Sequence, residues 1–386
     1  MAANRKVGVS DVAKHAGVSI GTVSNYLNYP ERVSATLKER IGAAITELGY
    51  VPKHAAARAG TAEGTRLVGF VMTDIEHSLF TSVFEGAQEV CEDNGMQIVG
   101  MNAFSDLERQ HGLVAALIGM KVCGILLSTV LDPAQDVAAA QSAGIPIVLV
   151  DHSNASGHEP TCAVIENNIS AGRLAAEELI RIGRRHLAFA AHSFDYEQVQ
   201  DRQLGVQKAV MNAGNGATFE LVNTGGLMDD DGYQLGLALS DQAERQRWSR
   251  YDADTDPDGD EGNAHSPTSG RDVHRASPAM ERAVRELNRI PDGVIACSDK
   301  LAVGLIRALD ERGVLRVPED VAVIGLEGVN LPPDAAMPLS VTQAPGMDMG
   351  RKAMEQLLDH IENPGSHIHG TIMIEPTLIR RASTSV

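Results

Sequence analysis

Polar side chains that could hold a small molecule follow several apolar runs of this 386-residue chain. They are Asp74, Ser128, Asp151, Asp299 and Glu327, and Arg202, from a helical stretch, is a sixth candidate. A carboxylate accepts hydrogen bonds from hydroxyl groups, and an arginine donates hydrogen bonds in a planar fork. If these side chains converge, we expect them to bind a polyhydroxylated small molecule. Each one taken alone could equally be a polar group that caps a helix.

The elements that would position these residues are short apolar strands alternating with helices from Leu67 onward. The first series of strands is LVGFVM, MQIVGMNA, CGILLSTV and IPIVLVD. After residue 160 the series restarts with CAVIENN, HLAFAAH, FELVNT, GVIACSD and VAVIGL. This spacing predicts two doubly wound α/β lobes with parallel sheets. In such proteins the ligand binds between the lobes, beyond the carboxyl ends of the strands. Arg202 is expected at the start of a helix.

A second set of residues, near the N-terminus, has chemistry suited to DNA. Val9 to Asn28 read as two short helices joined by a turn at Gly17, a helix-turn-helix, and a third helical pattern follows Ser34. The outer face of the second helix carries Ser19, Ile20, Gly21, Thr22, Ser24, Asn25 and Asn28. An amide such as that of Asn25 can pair with adenine, Ile20 suits a thymine methyl group, and the hydroxyls suit phosphates. The alternative is a helical hairpin within another fold.

Charge is divided unevenly along the chain. Residues 1–60 carry eight Lys or Arg and four Asp or Glu, a net charge of +4, whereas the whole chain carries −18. An acidic body would be repelled by DNA, so the basic N-terminal region is the expected contact surface.

The N-terminal motifs DVAKHAGVSIGTVSNYLN and RVSATLKERIGAAITELGYVP resemble the headpiece of the lactose-repressor/galactose-repressor family of bacterial transcription regulators. VIENNISAG, GVIACSDKLAVG and VPEDVAVIGLEG resemble motifs of that family's effector domain, which has a periplasmic sugar-binding-protein-like fold. The resemblance implies a homodimer that binds a palindromic double-stranded DNA operator under the control of a small-molecule effector. It also places Asp151, Arg202 and Asp299 at positions that commonly touch the effector.

The predicted domains are a headpiece at 1–51, a hinge at 52–66 and a two-lobed effector domain at 67–386. The resemblance implies a hinge helix whose leucine opens the central base step of the operator. Here the hinge candidates are Pro52, Ala57, Arg58 and Ala59. Alanine is too short for such a wedge, so we expect a weaker kink. A flexible linker is the alternative.

Residues 241–278 include DADTDPDGDEGNAHSPTSG and are expected to form a disordered acidic insertion. The run lacks the glycine and glutamate of a calcium loop, so we expect no metal there. The four cysteines (Cys91, Cys123, Cys162 and Cys297) are scattered and are expected to be buried thiols in a reducing cytoplasm. HIHG at 367–370 is read as a strand or turn. No metal or cofactor is predicted.

Other function classes receive little support. The chain has no nucleophile elbow, HExxH motif or P-loop, so we expect no enzyme activity. No apolar run is long enough for a membrane span, and no secretory signal precedes the headpiece. The sequence thus indicates a cytoplasmic, DNA-binding repressor with a sugar-like effector. The alternatives are a ligand sensor with weak operator binding, or a regulator gated by a nucleobase, a phosphorylated metabolite or a partner protein.

Overall fold

The computed structural model describes residues 9–28, 33–48, 66–153, 160–255, 275–328 and 338–385. The predicted hinge residues Pro52, Ala57, Arg58 and Ala59 lie outside these ranges. Within the described residues, no helix is long and apolar enough to cross a membrane.

Three helices form the N-terminal unit: α1 (Val9–Ala16), α2 (Ile20–Asn28) and α3 (Ala35–Leu48). Their buried core consists of small and β-branched side chains, namely Val12, Ala13, Ala16, Val23, Ile41 and Ala44. Gly17 has φ +64°, the left-handed conformation that lets α1 turn into α2. The guanidinium of Arg40 donates to the Ala16 carbonyl oxygen at 2.7 Å, which ties α3 to the end of α1. The predicted helix-turn-helix with a third helix is therefore present.

The α/β part of the chain contains two sets of strands. The strands are β1 (Arg66–Met72), β2 (Met96–Asn102), β3 (Gly124–Ser128), β4 (Ile147–Val150), β5 (Cys162–Glu166), β6 (His186–Ala191), β7 (Thr218–Asn223), β8 (Gly293–Ala296), β9 (Ala322–Glu327), β10 (Ser340–Gln343), β11 (Thr371–Ile374) and β12 (Thr377–Ile379).

The helices of this part fall between the strands. They are α4 (Ser78–Asp93), α5 (Leu107–Gly119), α6 (Ala134–Ser142), α7 (Asn168–Arg181), α8 (Glu197–Ala213), α9 (Asp229–Thr255), α10 (Pro278–Arg285), α11 (Asp299–Arg312) and α12 (Gly346–Glu362). A short 3₁₀ helix follows at Ala382–Thr384.

The strands form two six-stranded sheets, in the orders β11-β5-β4-β3-β1-β2 and β12-β10-β9-β8-β6-β7. The pairings of β3 with β4, β4 with β5, β6 with β8 and β8 with β9 are parallel. β3, β4 and β8 are buried along their whole length, as expected for strands covered by helices on both faces. The predicted fold class, a helix-turn-helix headpiece with a two-lobed doubly wound α/β domain, is confirmed.

Two predictions about local structure are wrong. Residues 241–255 are not part of a disordered insertion, because α9 continues through them to Thr255. Residues 256–274 of the predicted insertion lie outside the described ranges. Ala243 is buried in the core, and the Asp241 carboxylate forms an ion pair with Arg312 of α11. These contacts offset the poor local apolar content on which the prediction was based. Arg202 does not lie at the start of a helix either, since α8 already begins at Glu197.

Helices α7 and α8 approach each other closely through paired glycines. A Cβ atom on Gly172 of α7 would overlap the carbonyl oxygen of Arg202, and one on Gly205 of α8 would overlap the carbonyl oxygen of Ile169. The missing side chains thus allow the two backbones to touch. This crossing brings Arg202 beside Asn168, the first residue of α7.

Candidate functional site

Arg202 is the centre of a buried polar cluster at the carboxyl ends of strands from both sheets. Its side chain lies 3.4 Å from Glu166, the last residue of β5, and 3.3 Å from Glu327, the last residue of β9. Its Nε donates to Asn168 Oδ1 at 2.7 Å, and its Nη1 donates to the Cys297 carbonyl oxygen at 3.0 Å. The guanidinium therefore connects residues that follow the first sheet with residues of the second.

His77 adds a second contact between the two sheets. It lies in the turn after β1, and its Nε2 is 3.1 Å from Glu327 Oε2. Glu327 consequently lies between two basic groups, Arg202 and His77. The loops above the cluster are joined as well, because Gln198 Nε2 donates to the Asp151 carbonyl oxygen at 2.6 Å. Several polar contacts thus hold the two lobes together at this edge.

Three atoms of the cluster are buried and have no hydrogen-bond partner among the residues that the structure describes. They are Asp151 Oδ1, Glu166 Oε1 and His77 Nδ1. Buried polar atoms in proteins are nearly always paired, and an unpaired one is expensive. Two of the three are carboxylate oxygens, which only accept hydrogen bonds when ionised. The cluster is therefore chemically incomplete, and hydrogen-bond donors would complete it.

Burial and neighbouring charges divide the carboxyl groups of the cluster into two kinds. Burial raises the pKa of Glu166 to about 7 and that of Asp151 to about 6, although Arg202 opposes both shifts. Burial would also raise the pKa of Glu327, but His77 and Arg202 outweigh it, so this pKa is lowered. Burial would lower the pKa of His77, yet Glu327 holds it above the ordinary value. Glu327 is thus ionised at neutral pH, whereas Glu166 gains or loses its proton near neutral pH.

The backbone is unusual at two residues of the cluster. Asp151 has φ +56° and Glu327 has φ +112°, in a region that side-chain-bearing residues rarely adopt. Both residues lie where a buried strand ends, and Gly328 follows Glu327 with φ +60°. Backbone conformations of this kind cluster at binding sites, where the surrounding structure imposes them.

The six residues singled out from the sequence do not all enter the cluster. Asp151, Arg202 and Glu327 do. Asp299 is the first residue of α11, two residues after Cys297, and Gly325 leaves space for it, since a Cβ there would lie 2.7 Å from Asp299 Oδ1. Asp74 and Ser128 have other hydrogen-bond partners instead. The Asp74 carboxylate accepts from the Glu76 amide at 3.0 Å, and Ser128 Oγ is 3.0 Å from Thr73 Oγ1.

Sequence reasoning did not select Glu166, Asn168, His77 or Cys297 for this site. Glu166 ends a buried strand just as Glu327 does, so the rule that selected Glu327 could have found it. Asn168 and Cys297 contact Arg202 through the crossing of α7 with α8 and through a backbone carbonyl, respectively. No local pattern in the sequence reports such contacts.

The exposed face at the start of α2 has the groups predicted for DNA contact. Ser19 caps the helix, because its Oγ accepts from the Thr22 amide at 3.1 Å and lies 2.8 Å from Thr22 Oγ1. Ile20 is 57% exposed although it is a large apolar residue, and Gly21 beside it is also exposed. Ser24, Asn25 and Asn28 belong to the same helix, but their side chains lie outside the described part of the structure.

These features define a class of protein: a helix-turn-helix unit in one chain with a two-lobed α/β ligand-binding fold. Comparison with known families agrees. Residues 9–53 match the model of bacterial regulatory proteins of the lacI family. Residues 65–235 match the periplasmic binding proteins and sugar binding domain of the LacI family, and residues 252–384 match a periplasmic binding protein-like domain.

Individual relatives extend this similarity over nearly the whole chain. The HTH-type transcriptional repressor PurR of Yersinia enterocolitica is 28% identical over 378 residues, which cover 98% of this chain and 96% of the relative. A solved complex of the transcriptional regulator CelR with cellobiose is 24% identical, with a TM-score of 0.60, and covers 98% of this chain and 100% of that one. The Lac repressor dimer bound to operator and the anti-inducer ONPF is 21% identical with a TM-score of 0.61, covering 99% and 100%. The two solved structures show the shared fold.

The chain thus carries a DNA-binding domain of the lacI family at residues 9–53 and, at residues 65–235, a match to the periplasmic binding proteins and sugar binding domain of that family. It is a DNA-binding transcription regulator with a periplasmic-binding-protein-like domain, and its curated relatives are transcriptional repressors, not enzymes.

Proposed function

We propose that this protein represses transcription by binding a palindromic operator as a homodimer, and that a neutral, polyhydroxylated small molecule in the Arg202 cluster sets its affinity for DNA. The observation that carries the effector part is the pair of buried, unpartnered acceptor atoms, Asp151 Oδ1 and Glu166 Oε1. A sugar-like ligand supplies several hydroxyl donors to such acceptors. Each hydrogen bond to a charged group contributes about 1.5–3 kcal/mol.

The charges of the cluster favour a neutral ligand over an anionic one. Arg202 and His77 are already engaged by Glu166 and Glu327, and the Asp151 carboxyl group adds further negative charge. A phosphorylated metabolite would meet these carboxylates, and the described residues of the cluster offer no further cation to compensate for its charge. The alternative of a phosphorylated effector is therefore disfavoured by the electrostatics of the site.

The operator part of the proposal is supported by the exposed start of α2. Ser19, Ile20, Gly21 and Thr22 together offer short donors, acceptors and one apolar contact, without a bulky side chain in the way. A helix presented in this manner fits the major groove. One structural neighbour is a Lac repressor dimer bound to operator, and this likeness supports the dimer. Two identical heads match a palindrome by symmetry.

Selection of duplexes from a random pool by the full-length protein, at physiological salt, tests the proposal. We expect a palindrome to be enriched, with light scattering showing a dimer in solution. Neutral sugars and polyols are then screened for a change in affinity for the enriched duplex, with sugar phosphates and nucleobases as comparison sets. If a folded dimer enriches nothing, either alone or with the screened small molecules present, the operator part is wrong and the protein acts as a ligand sensor. If only sugar phosphates or nucleobases change the affinity, the effector part is wrong.

The variant Asp151→Asn tests whether Asp151 binds the effector, separately from any role of this residue in folding and DNA binding. Asparagine has the same size as aspartate and also tolerates a positive φ, but it replaces one acceptor oxygen by a donor. We expect the variant to bind the enriched duplex as the wild type does and to respond to the effector at least about tenfold more weakly, the loss of one such hydrogen bond. Asp132→Asn, an exposed change of the same kind, is the control. An unchanged response of Asp151→Asn would remove this residue from the site.

A further inference from the structure

A second cluster of reactive side chains lies in the first sheet, at the amino end of β5 and opposite the Arg202 cluster at its carboxyl end. Cys162 is the first residue of β5 and Glu166 is the last, so the two are separated by the length of the strand. β11 runs parallel to β5, with Thr371 opposite Ala163, and the Ala163 amide donates to the Gly370 carbonyl oxygen at 3.1 Å. This register brings the residues just before β11 beside Cys162.

The turn between α12 and β11 supplies two histidines to this edge. The His367 amide donates to the Asn363 carbonyl oxygen at 2.9 Å, which folds the chain back after α12 ends at Glu362. As a result, Cys162 Sγ lies 3.1 Å from His367 Nε2 and 3.5 Å from His369 Nδ1. The three candidate ligand atoms lie within 4.8 Å of one another.

We propose that Cys162, His367 and His369 bind one Zn²⁺ ion, with solvent in the fourth position. One sulfur and two imidazole nitrogens form a donor set that zinc favours and that Mg²⁺ and Ca²⁺ do not. Bond lengths of about 2.3 Å to sulfur and about 2.0–2.1 Å to nitrogen, at a tetrahedral angle, place sulfur and nitrogen about 3.6 Å apart. The distance of 3.5 Å to His369 matches this value, and the 3.1 Å to His367 needs a small outward movement of that ring.

The surroundings of the three residues fit a metal site. His367 Nδ1 is 2.6 Å from Asp359 Oδ2, so a carboxylate orients the ring and leaves Nε2 facing Cys162. This arrangement of carboxylate, histidine and metal is common around zinc. His360 stacks on His367 with ring centroids 4.6 Å apart, and its buried Nδ1 has no hydrogen-bond partner within the described ranges. The side chain of Cys162 is buried while His369 is exposed, so the site is protected and still open to entering ions.

Binding requires the Cys162 thiol to lose its proton, because the thiolate is the ligand. The thiol proton is released to solvent, and the thiolate sulfur donates a lone pair to Zn²⁺. The two neutral imidazoles each donate a nitrogen lone pair, and no oxidation state changes. The ion joins β5 to the segment that precedes β11, two parts of the chain about 200 residues apart. Zinc should therefore stabilise the first lobe through its C-terminal strand.

Titration of the metal-free, full-length protein with Zn²⁺ tests the proposal. We expect one equivalent to bind per chain, the melting temperature to rise, and one proton to be released. Co²⁺ in place of Zn²⁺ should produce a near-ultraviolet absorption band from the thiolate. His369→Gln, an exposed substitution, should weaken Zn²⁺ binding at least about tenfold. Cys162→Ser should abolish the cobalt–thiolate band, and Asp359→Asn should weaken Zn²⁺ binding by about 10–100-fold.

His186→Gln is the matched control. This histidine begins β6 in the second sheet, and its Nδ1 lies 3.2 Å from Thr218 Oγ1. The control should bind Zn²⁺ as the wild type does. Equal Zn²⁺ affinity in wild type and His369→Gln, a Co²⁺ complex without the thiolate band, or no binding by the wild type would overturn the proposal.

Discussion

Replacing Glu166 by glutamine should remove part of the dependence of stability on pH. In the folded protein, burial raises the pKa of Glu166 from its ordinary value of 4.5 to about 7. The folded state therefore holds this proton more tightly than the unfolded state does. The contribution of Glu166 to the free energy of unfolding is fully present below the pKa that the group has in the unfolded state. It is lost as the pH rises through the pKa of the folded state, because the ionised carboxylate must then stay buried.

The size of the effect follows from the difference between the two pKa values. A difference of about 2.5, at about 1.4 kcal/mol for each pKa unit, corresponds to roughly 3 kcal/mol. The free energy of unfolding of the wild type should thus decrease by roughly 3 kcal/mol more than that of Glu166→Gln between pH 4.5 and pH values above 7. Asp151, whose pKa is raised to about 6, adds a fall of the same sign in both proteins.

Urea unfolding followed by far-ultraviolet circular dichroism, repeated across this pH range, measures the difference. Glu177→Gln removes the same charge from the exposed face of α7, where Glu177 pairs with Arg173, and serves as the control. It should follow the pH dependence of the wild type. If the curves of Glu166→Gln and Glu177→Gln coincide, the ionised Glu166 carboxylate is not destabilised by burial and the reasoning fails.

Three further predictions concern DNA contact, helix packing and the cluster. Asn25→Ala should weaken binding to the selected operator by roughly 1–3 kcal/mol and leave binding to random duplex nearly unchanged, as competition assays with both DNAs would show; equal losses on both would refute a base contact. Gly172→Ala should destabilise the fold by roughly 1–3 kcal/mol in urea unfolding, because its Cβ would overlap the Arg202 carbonyl oxygen. Gly112→Ala, where a Cβ meets nothing within 4 Å, should be neutral or slightly stabilising, and similar losses in both would contradict the packing argument. Arg202→Leu should cost about 3–5 kcal/mol by leaving Glu166 and Glu327 without their shared cation, and full stability in the same assay would show that the pairs contribute little.

The fold could be predicted from the sequence because its strands are short, continuous apolar runs separated by helices. That pattern is local and repeats nine times before β10. The elements that it missed are those whose burial depends on distant partners. α9 lacks a clear apolar face beyond residue 240, and the middle of the helix is held by long-range contacts such as Asp241 with Arg312. β10 to β12 are three or four residues long, too short to show a periodicity.

The candidate site could be predicted only in outline. The rule that ligands bind beyond the carboxyl ends of strands selected Asp151 and Glu327, and the family resemblance supported Arg202. Which side chains meet depends on how the two sheets face each other, and the sequence does not contain that information locally. Asp74 therefore looked equivalent to Asp151, although its carboxylate accepts a hydrogen bond from the Glu76 amide of its own turn. The cluster of Cys162 with His367 and His369 joins residues more than 200 positions apart, so their spacing carried no signal.

The glycine crossing between α7 and α8 has a mechanical consequence. Contacts between side chains can adjust by changing rotamers, but Gly172 and Gly205 bring backbone against backbone, and such a contact cannot slide without separating the helices. Helices α7 and α8 must therefore move as one rigid body. Arg202 belongs to α8. Asn168 belongs to α7 and follows Glu166, the last residue of β5, by two residues. Any shift of one helix backbone would therefore carry the other helix with it, and would change the position of Arg202 and Asn168 together.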